Sequence, residues 1–538
     1  MRLATLAALT LTLGICSTAL AQDDKDADKP SGAAQSFPAP NPAYFKAPES
    51  VTQGSVTVDG DRVDYTAHAG TIIVHPKDWN DATEPQGDEK NKQPQAAMFY
   101  VAYFKKDVDP TQRPVTFLYN GGPGSSTVWL HMGAFGPRRI VTADDTHSPA
   151  APYQLVNNDE SLLDASDLVF IDAPGTGFSR IAGKDADKAF YGIDPDAYAF
   201  GDFINQFLAK YGRWNSPKYL FGESYGTPRS AVLVRELETD RDIDFNGVIL
   251  LSQILNFALS PDRPEYEPGI DLAYQLALPT YAATAWYHHK LPPNAPKDLP
   301  TLIHQVESFT MGEYALALQR GSLIGPRWRK EIIAKLHMFT GLPADYIDKA
   351  NLRIDGGEFE KSLEDANDIT IGRLDTRFSG PTMDPLSEGA EYDPQSAAIS
   401  SAYVSAFNDY VRKVLNYGQN LHYNPEIELY RSWDFSHQPP GAQRAIRGNA
   451  NVMPDLATAM KYNPNLKILL NGGYFDLATP YYEGWYEMHH LQIPPKLDGN
   501  ISYRYYASGH MVYAHTPALK QLHDNVAAFI RQTDNVQK

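Results

Sequence analysis

The sequence predicts an α/β chain whose mostly parallel central sheet is flanked by helices and interrupted by one large, mainly helical insertion. Three observations point there. Short apolar runs rich in β-branched and aromatic residues alternate with helical patterns, the rhythm of a parallel sheet covered on both faces. That rhythm stops near residue 255 and resumes near residue 450. The residues with unusual chemistry follow directly after the apolar runs, at the strand ends where such sheets bind ligands.

At 538 residues with 43% hydrophobic composition, the chain is long enough for one large domain with an insertion, or for two domains. A formal net charge of -18 disfavours nucleic acid and anionic membrane surfaces as partners, because both reward clustered Lys and Arg. No internal repeat is evident, and oligomeric state is not encoded in any feature of the pattern.

The elements follow in order. Residues 1–21 carry Arg2, a short apolar run and a small-residue ending Ala19-Leu20-Ala21, so a signal peptide cleaved before Gln22 is expected. The run is short for a spanning helix, no later stretch is apolar enough to cross a bilayer, and Ile15 disfavours lipid attachment at Cys16. Cys16 is the only cysteine, so the mature chain is expected to have no disulfide, thiolate metal site or cysteine nucleophile. Export without cysteine fits a bacterial periplasm or exterior. Residues 22–45 are rich in Asp, Lys, Pro and Ala without apolar period and read as a flexible linker.

A first core part is expected over 46–254. SVTVDGDRVDYTAH and AAMFYVAYFKK suggest antiparallel edge strands, with a loop from Asp78 to Pro94 between them. Buried parallel strands are read at Val115 to Tyr119, Leu168 to Ile171, Tyr219 to Phe221, and Val248 to Leu251. Phe200, Phe203, Ile204, Phe207 and Leu208 mark a helix face. Residues 255–450 are expected to form the helical cap over the site, with a separate binding domain as the alternative. A second core part, 451–538, adds a strand at Lys467 to Leu470 and a final helix marked by Leu519, Leu522, Val526, Phe529 and Ile530.

Gly222-Glu223-Ser224-Tyr225-Gly226 lies between a strand and a helical pattern, the setting of a sharp turn that exposes a serine nucleophile. Asp476, after the Lys467 strand, and His510, in Ser508-Gly509-His510-Met511 after SYRYYA, complete the chain order Ser, Asp, His. His510 would take the Ser224 proton and Asp476 would fix the imidazole tautomer. Asn120-Gly121-Gly122-Pro123-Gly124 follows the Val115 strand where backbone N–H groups can hold an oxyanion, with the Gly122 and Tyr225 N–H groups as the expected donors. His288-His289 and His489-His490 are adjacent pairs that would diverge on a helix, and no zincin motif, phosphate loop or dinucleotide fingerprint occurs, so neither metal nor organic cofactor is expected. Trp129 and His131 read equally as pocket lining or core.

Together NGGPGSS, DLVFIDAPGTGFS, GESYG, the Asp before a turn proline and GHM resemble the serine carboxypeptidase family over most of 55–255 and 460–530. The resemblance implies the α/β-hydrolase fold. It also implies peptide substrates with a free C-terminus, whose terminal carboxylate is bound by Asn120, the Gly121 N–H and Glu223. Three positions depart from the family pattern: Leu118 stands for a Trp, Ser125 for a disulfide Cys, and Ala134 for the glutamate that pairs with the elbow acid. Glu223 is therefore expected to lack a carboxyl partner. The rival expectations are an esterase or acyltransferase using the same three residues, and a catalytically silent binding protein on the same fold.

Overall fold

A computed structural model describes residues 39–77, 79 and 93–536; the expected signal peptide, Cys16 and most of the 78–94 loop lie outside them. Among the described residues ten strands join in one sheet: β1 (Ser50–Val58), β2 (Asp61–Val74), β3 (Gln95–Lys105), β4 (Val115–Tyr119), β5 (Asp167–Ile171), β6 (Arg180–Ala182), β7 (Lys218–Glu223), β8 (Gly247–Leu251), β9 (Lys467–Gly473) and β10 (Ile501–Tyr506). Their order is β1-β2-β3-β5-β4-β7-β8-β9-β10, with β6 also beside β3. From β5 to β10 every neighbour is parallel, whereas β1, β2 and β3 are antiparallel, with Asp59-Gly60 turning β1 into β2.

Because successive side chains of a strand face opposite ways, each parallel strand feeds both faces of the sheet. Leu118, Phe170, Phe221, Leu251 and Leu469 pack on one side, with Leu519, Leu522, Val526 and Ile530 of the last helix. Phe117, Val169, Ile171, Leu220, Val248 and Leu470 pack on the other. There α1 (Ile193–Tyr211) buries Phe200, Phe203, Ile204 and Phe207, and α2 (Gly226–Asp240) buries Val232, Leu233 and Leu237. Burial on both faces explains why these strands read as continuous apolar runs.

Between β8 and β9 lie the helices Leu272–Tyr287, Leu299–Phe309, Pro326–Thr340 and Pro394–Lys413. The first three share a separate apolar core, with Leu278, Val306 and Phe339 among its buried members. Two sequence expectations change at their edges. Residues Pro42–Phe45, assigned to the linker, form a helical turn capped by Asn41, and Arg180 lies 4.2 Å over the Tyr44 ring. The helical character assigned to 255–450 ends at Lys413. From there to Val452 the chain is irregular and returns to the core through bridges from Glu426 to Ser125 and from Asn424 to Gly177. Its Asn, Pro and Gly content supplies no helical period.

Candidate active site

The chain order reverses across β4 and β7, since β5 lies on one side of β4 and β7 on the other, and a crevice opens at the carboxyl ends of such a pair. The Asn120 loop leaves β4 there and Ser224 leaves β7. Ser224 sits at φ +59°, a left-handed conformation costly for a non-glycine residue. Its N–H donates to the Leu251 carbonyl at 3.0 Å and its carbonyl accepts from Thr227 N–H at 2.8 Å, which fixes the strained turn. A β-carbon on Gly222 would stand 2.1 Å from the Gly226 oxygen, so only glycine permits this strand-to-helix approach.

The Asn120 loop is pressed against the same turn. A β-carbon on Gly121 would stand 2.3 Å from the Tyr225 nitrogen, and Gly122 occupies φ +105°. Arg229, buried on α2, holds the loop from beneath: it donates to the Asn120 carbonyl at 2.8 Å and pairs with buried Asp196 at 2.6 Å. Tyr225 is fixed by Trp433, whose Nε1–H donates to its hydroxyl at 3.0 Å.

On the facing loops, His510 Nδ1 lies 2.9 Å from Asp476 Oδ2. The same carboxylate accepts from the Thr479 N–H at 3.0 Å and its hydroxyl at 2.9 Å. Burial works against charge on His510, but Asp476 and, behind it, Glu223 outweigh burial and hold its pKa above the ordinary histidine value. Asp476 and His510 are thus brought together as the sequence predicted, while no direct hydrogen bond joins the Ser224 hydroxyl to His510.

Glu223 is fully enclosed. Asn120 Nδ2 donates to its Oε2 at 2.8 Å, and the Tyr513 hydroxyl reaches the same oxygen at 2.9 Å and Oε1 at 3.1 Å. Burial pushes its carboxyl up to about 7, against the pull of His510, Tyr513 and Asn120. Asn120 Oδ1 is occupied by Leu130 N–H at 3.1 Å, which orients the amide toward Glu223. Sequence reasoning missed Tyr513, although it stands three residues after His510 on the same loop. Ala134 lies in a helical turn, Leu130–Phe135, buried in the core.

A short strap from the insertion holds both facing loops. The Leu374 carbonyl accepts from His510 N–H at 2.6 Å, and Asp375 Oδ2 accepts from Gly509 N–H at 3.1 Å. The Arg373 carbonyl accepts from Leu477 N–H at 3.1 Å, and Thr376 N–H donates to the Phe475 carbonyl at 2.9 Å. Asp375 is itself paired with buried Arg377 at 2.6 Å.

The remaining expectations resolve toward structure. His131 is core: its Nε2 lies 2.7 Å from the Tyr103 hydroxyl, its ring stacks on Phe170, and burial pulls its pKa down to about 3. Trp129 is partly buried against the core and donates to Ser125 at 2.8 Å. His288 Nε2 contacts the Thr376 carbonyl at 2.6 Å, while His490 stacks on Tyr486. Among the described residues, no group of three or more His, Cys, Asp or Glu side chains is arranged to hold a metal ion.

The parallel sheet, its strand order and a serine at positive φ between strand and helix define an α/β hydrolase. Within that class, residues 89–258 match the family model described as serine carboxypeptidase. The chain is 30% identical over 174 residues to a pheromone-processing carboxypeptidase of Phytophthora infestans, covering 30% of this chain and 24% of that protein. It is 26% identical over 204 residues to serine carboxypeptidase-like 3 of Arabidopsis thaliana, covering 36% and 42%. Across its serine-bearing segment the chain is similar to serine carboxypeptidases, and its matches span less than half the length of these two proteins. A solved proline iminopeptidase of Mycobacterium smegmatis covers 90% of this chain at 12% identity and TM-score 0.33, so the fold assignment rests on the sheet and elbow rather than on that likeness.

Proposed function

We propose that this protein is a serine carboxypeptidase that releases C-terminal residues from peptides through an acyl-enzyme on Ser224. The observation that carries the reading is the buried Glu223 carboxyl beside Ser224, held by Asn120 and Tyr513. In its neutral form it can donate a hydrogen bond to a substrate carboxylate that a charged acid would repel.

His510, oriented by Asp476, removes the Ser224 proton as the oxygen attacks the scissile carbonyl carbon. The Gly122 and Tyr225 N–H groups receive the resulting oxyanion, and His510 returns its proton to the departing amine. Water, deprotonated by the same imidazole, then releases the shortened peptide. Asn120, the Gly121 N–H and Glu223 hold the terminal carboxylate, which limits cleavage to the last peptide bond. The helices between residues 255 and 450 serve as a cap, and residues 1–21 direct export to a bacterial periplasm or exterior. Among the described residues no helix is long and apolar enough to cross a membrane.

An organophosphonate probe followed by peptide mass spectrometry tests the assignment of Ser224. Labelling of Ser224, abolished in Ser224→Ala, is expected, together with turnover losses on the order of 10⁶-fold for Ser224→Ala and His510→Ala. An unlabelled Ser224 would revive a silent binding protein. Hydrolysis of simple esters without release of C-terminal residues from peptides would favour the esterase reading.

A further inference from the structure

Away from the Ser224 turn, a cavity of about 380 Å³ opens between the Leu299–Phe309 helix and the Tyr481–His489 helix. Its wall is aromatic. Tyr482 and Trp485 stack in parallel at 4.8 Å, and Tyr474 and Tyr505 lie against one another at 6.1 Å. Among the described residues that line it, Glu307 is the one carboxylate and His304 the one basic side chain, with neither Lys nor Arg. Glu307 is held in place by Tyr481, whose hydroxyl donates to Oε1 at 2.8 Å. The hydroxyl of Tyr505, a further lining residue, is buried without a hydrogen-bond partner.

We propose that this cavity binds an organic cation of the alkylammonium or alkylguanidinium class, its charge facing the aromatic rings and Glu307 and an N–H bonded to the Tyr505 hydroxyl. Ring faces attract cations through their quadrupole, and the attraction grows when water is excluded. A neutral apolar guest would add nothing to the support that Glu307 has from Tyr481 and the neighbouring His304 and would leave the Tyr505 hydroxyl unpaired, and an anion would be repelled by the carboxylate. Burial raises the Glu307 pKa, a direction that an adjacent bound cation reverses. Lysine and arginine side chains of peptides carry this chemistry, as do free amines of similar size. The site would act by recognition and takes no part in bond cleavage.

The test is binding rather than turnover, so its outcome is independent of the reaction proposed for Ser224. Saturation-transfer NMR titrations with n-butylguanidinium and its neutral analogue n-butylurea are compared on the full protein. Saturable binding of n-butylguanidinium is expected, with n-butylurea at least about tenfold weaker. Trp485→Ala and the conservative Glu307→Gln should each weaken the cation by about fivefold to thirtyfold, with melting temperature confirming that each variant is folded. Equal binding of the urea, unchanged affinity in a folded Glu307→Gln, or no saturable binding to the wild-type protein would each overturn the proposal.

Discussion

Replacing Glu223 by Gln separates recognition of the substrate carboxylate from the chemical step. With the Glu223 carboxyl at about 7, about nine-tenths of it is neutral at pH 6 and about one-tenth at pH 8, if its titration is treated as independent. Should only the neutral form receive a substrate carboxylate, KM rises about tenfold over that interval and about tenfold more by pH 9. Glu223→Gln carries a neutral donor at every pH, so its KM should stay flat within about twofold while kcat still climbs as His510 loses its proton. Tyr513→Phe provides an internal check. It removes a donor that stabilises the charged carboxylate, which is worth roughly 1.5–3 kcal/mol, so the rise in KM should move about one to two pH units higher. Since His510 and Glu223 influence one another, the bell in kcat/KM belongs to the pair, and KM and kcat must be read separately. Steady-state kinetics on one dipeptide-terminated substrate from pH 5 to pH 9 measures all three enzymes. Superimposable KM profiles for wild type and Glu223→Gln would refute the role given to Glu223.

Asp375→Ala should lower kcat by about a hundredfold with little change in KM, because it frees the Gly509 N–H behind His510 and strands Arg377; unchanged kcat in the folded variant would show that the strap does not position His510. His437, buried between Asp194 at 2.5 Å and Asp455 at 2.7 Å, is held up at about 9 by those carboxylates against the effect of burial, so His437→Ala should cost about 3–5 kcal/mol in urea unfolding. Wild-type stability should also fall as pH rises from about 5 to 9. Burial raises Asp172 to about 7 and Glu238 and Glu360 to about 8, so each favours the native state below its unfolded pKa and loses that contribution as pH climbs through the folded value; His437 acts in the same sense up to about 9. Thermal unfolding across that range checks the sign, and a melting temperature that rises toward pH 9 would contradict it.

The parallel strands and the Ser224 turn were legible because their signals are local: unbroken apolar runs, and glycines at the positions where a β-carbon would collide with Gly226 or Tyr225. The Asp476–His510 pair was legible through its order after successive strands, although its 2.9 Å contact joins residues 34 apart. What was not legible depends on distant contacts. Tyr513 takes up Glu223 from 290 residues away, in a site where the sequence left the acid without a partner. Arg229 reads as an ordinary helix residue until the fold sets it beneath Asn120. The strap at Arg373 to Arg377 has no period or motif of its own, and its grip on the two loops is largely backbone bonding, which side-chain identities do not reveal. The irregular return from Lys413 to Val452 was hidden for the same reason, because nothing periodic marks where the helices end.

The central claim is that Ser224 removes single residues from a free C-terminus, and it is tested most directly by presenting the purified protein with one peptide as its free acid and as its C-terminal amide. Mass spectrometry of the products over time should show the free acid shortened one residue at a time, the amide cleaved at least about a hundredfold more slowly, and neither changed by Ser224→Ala. Internal cleavage, or equal rates on acid and amide, would contradict it.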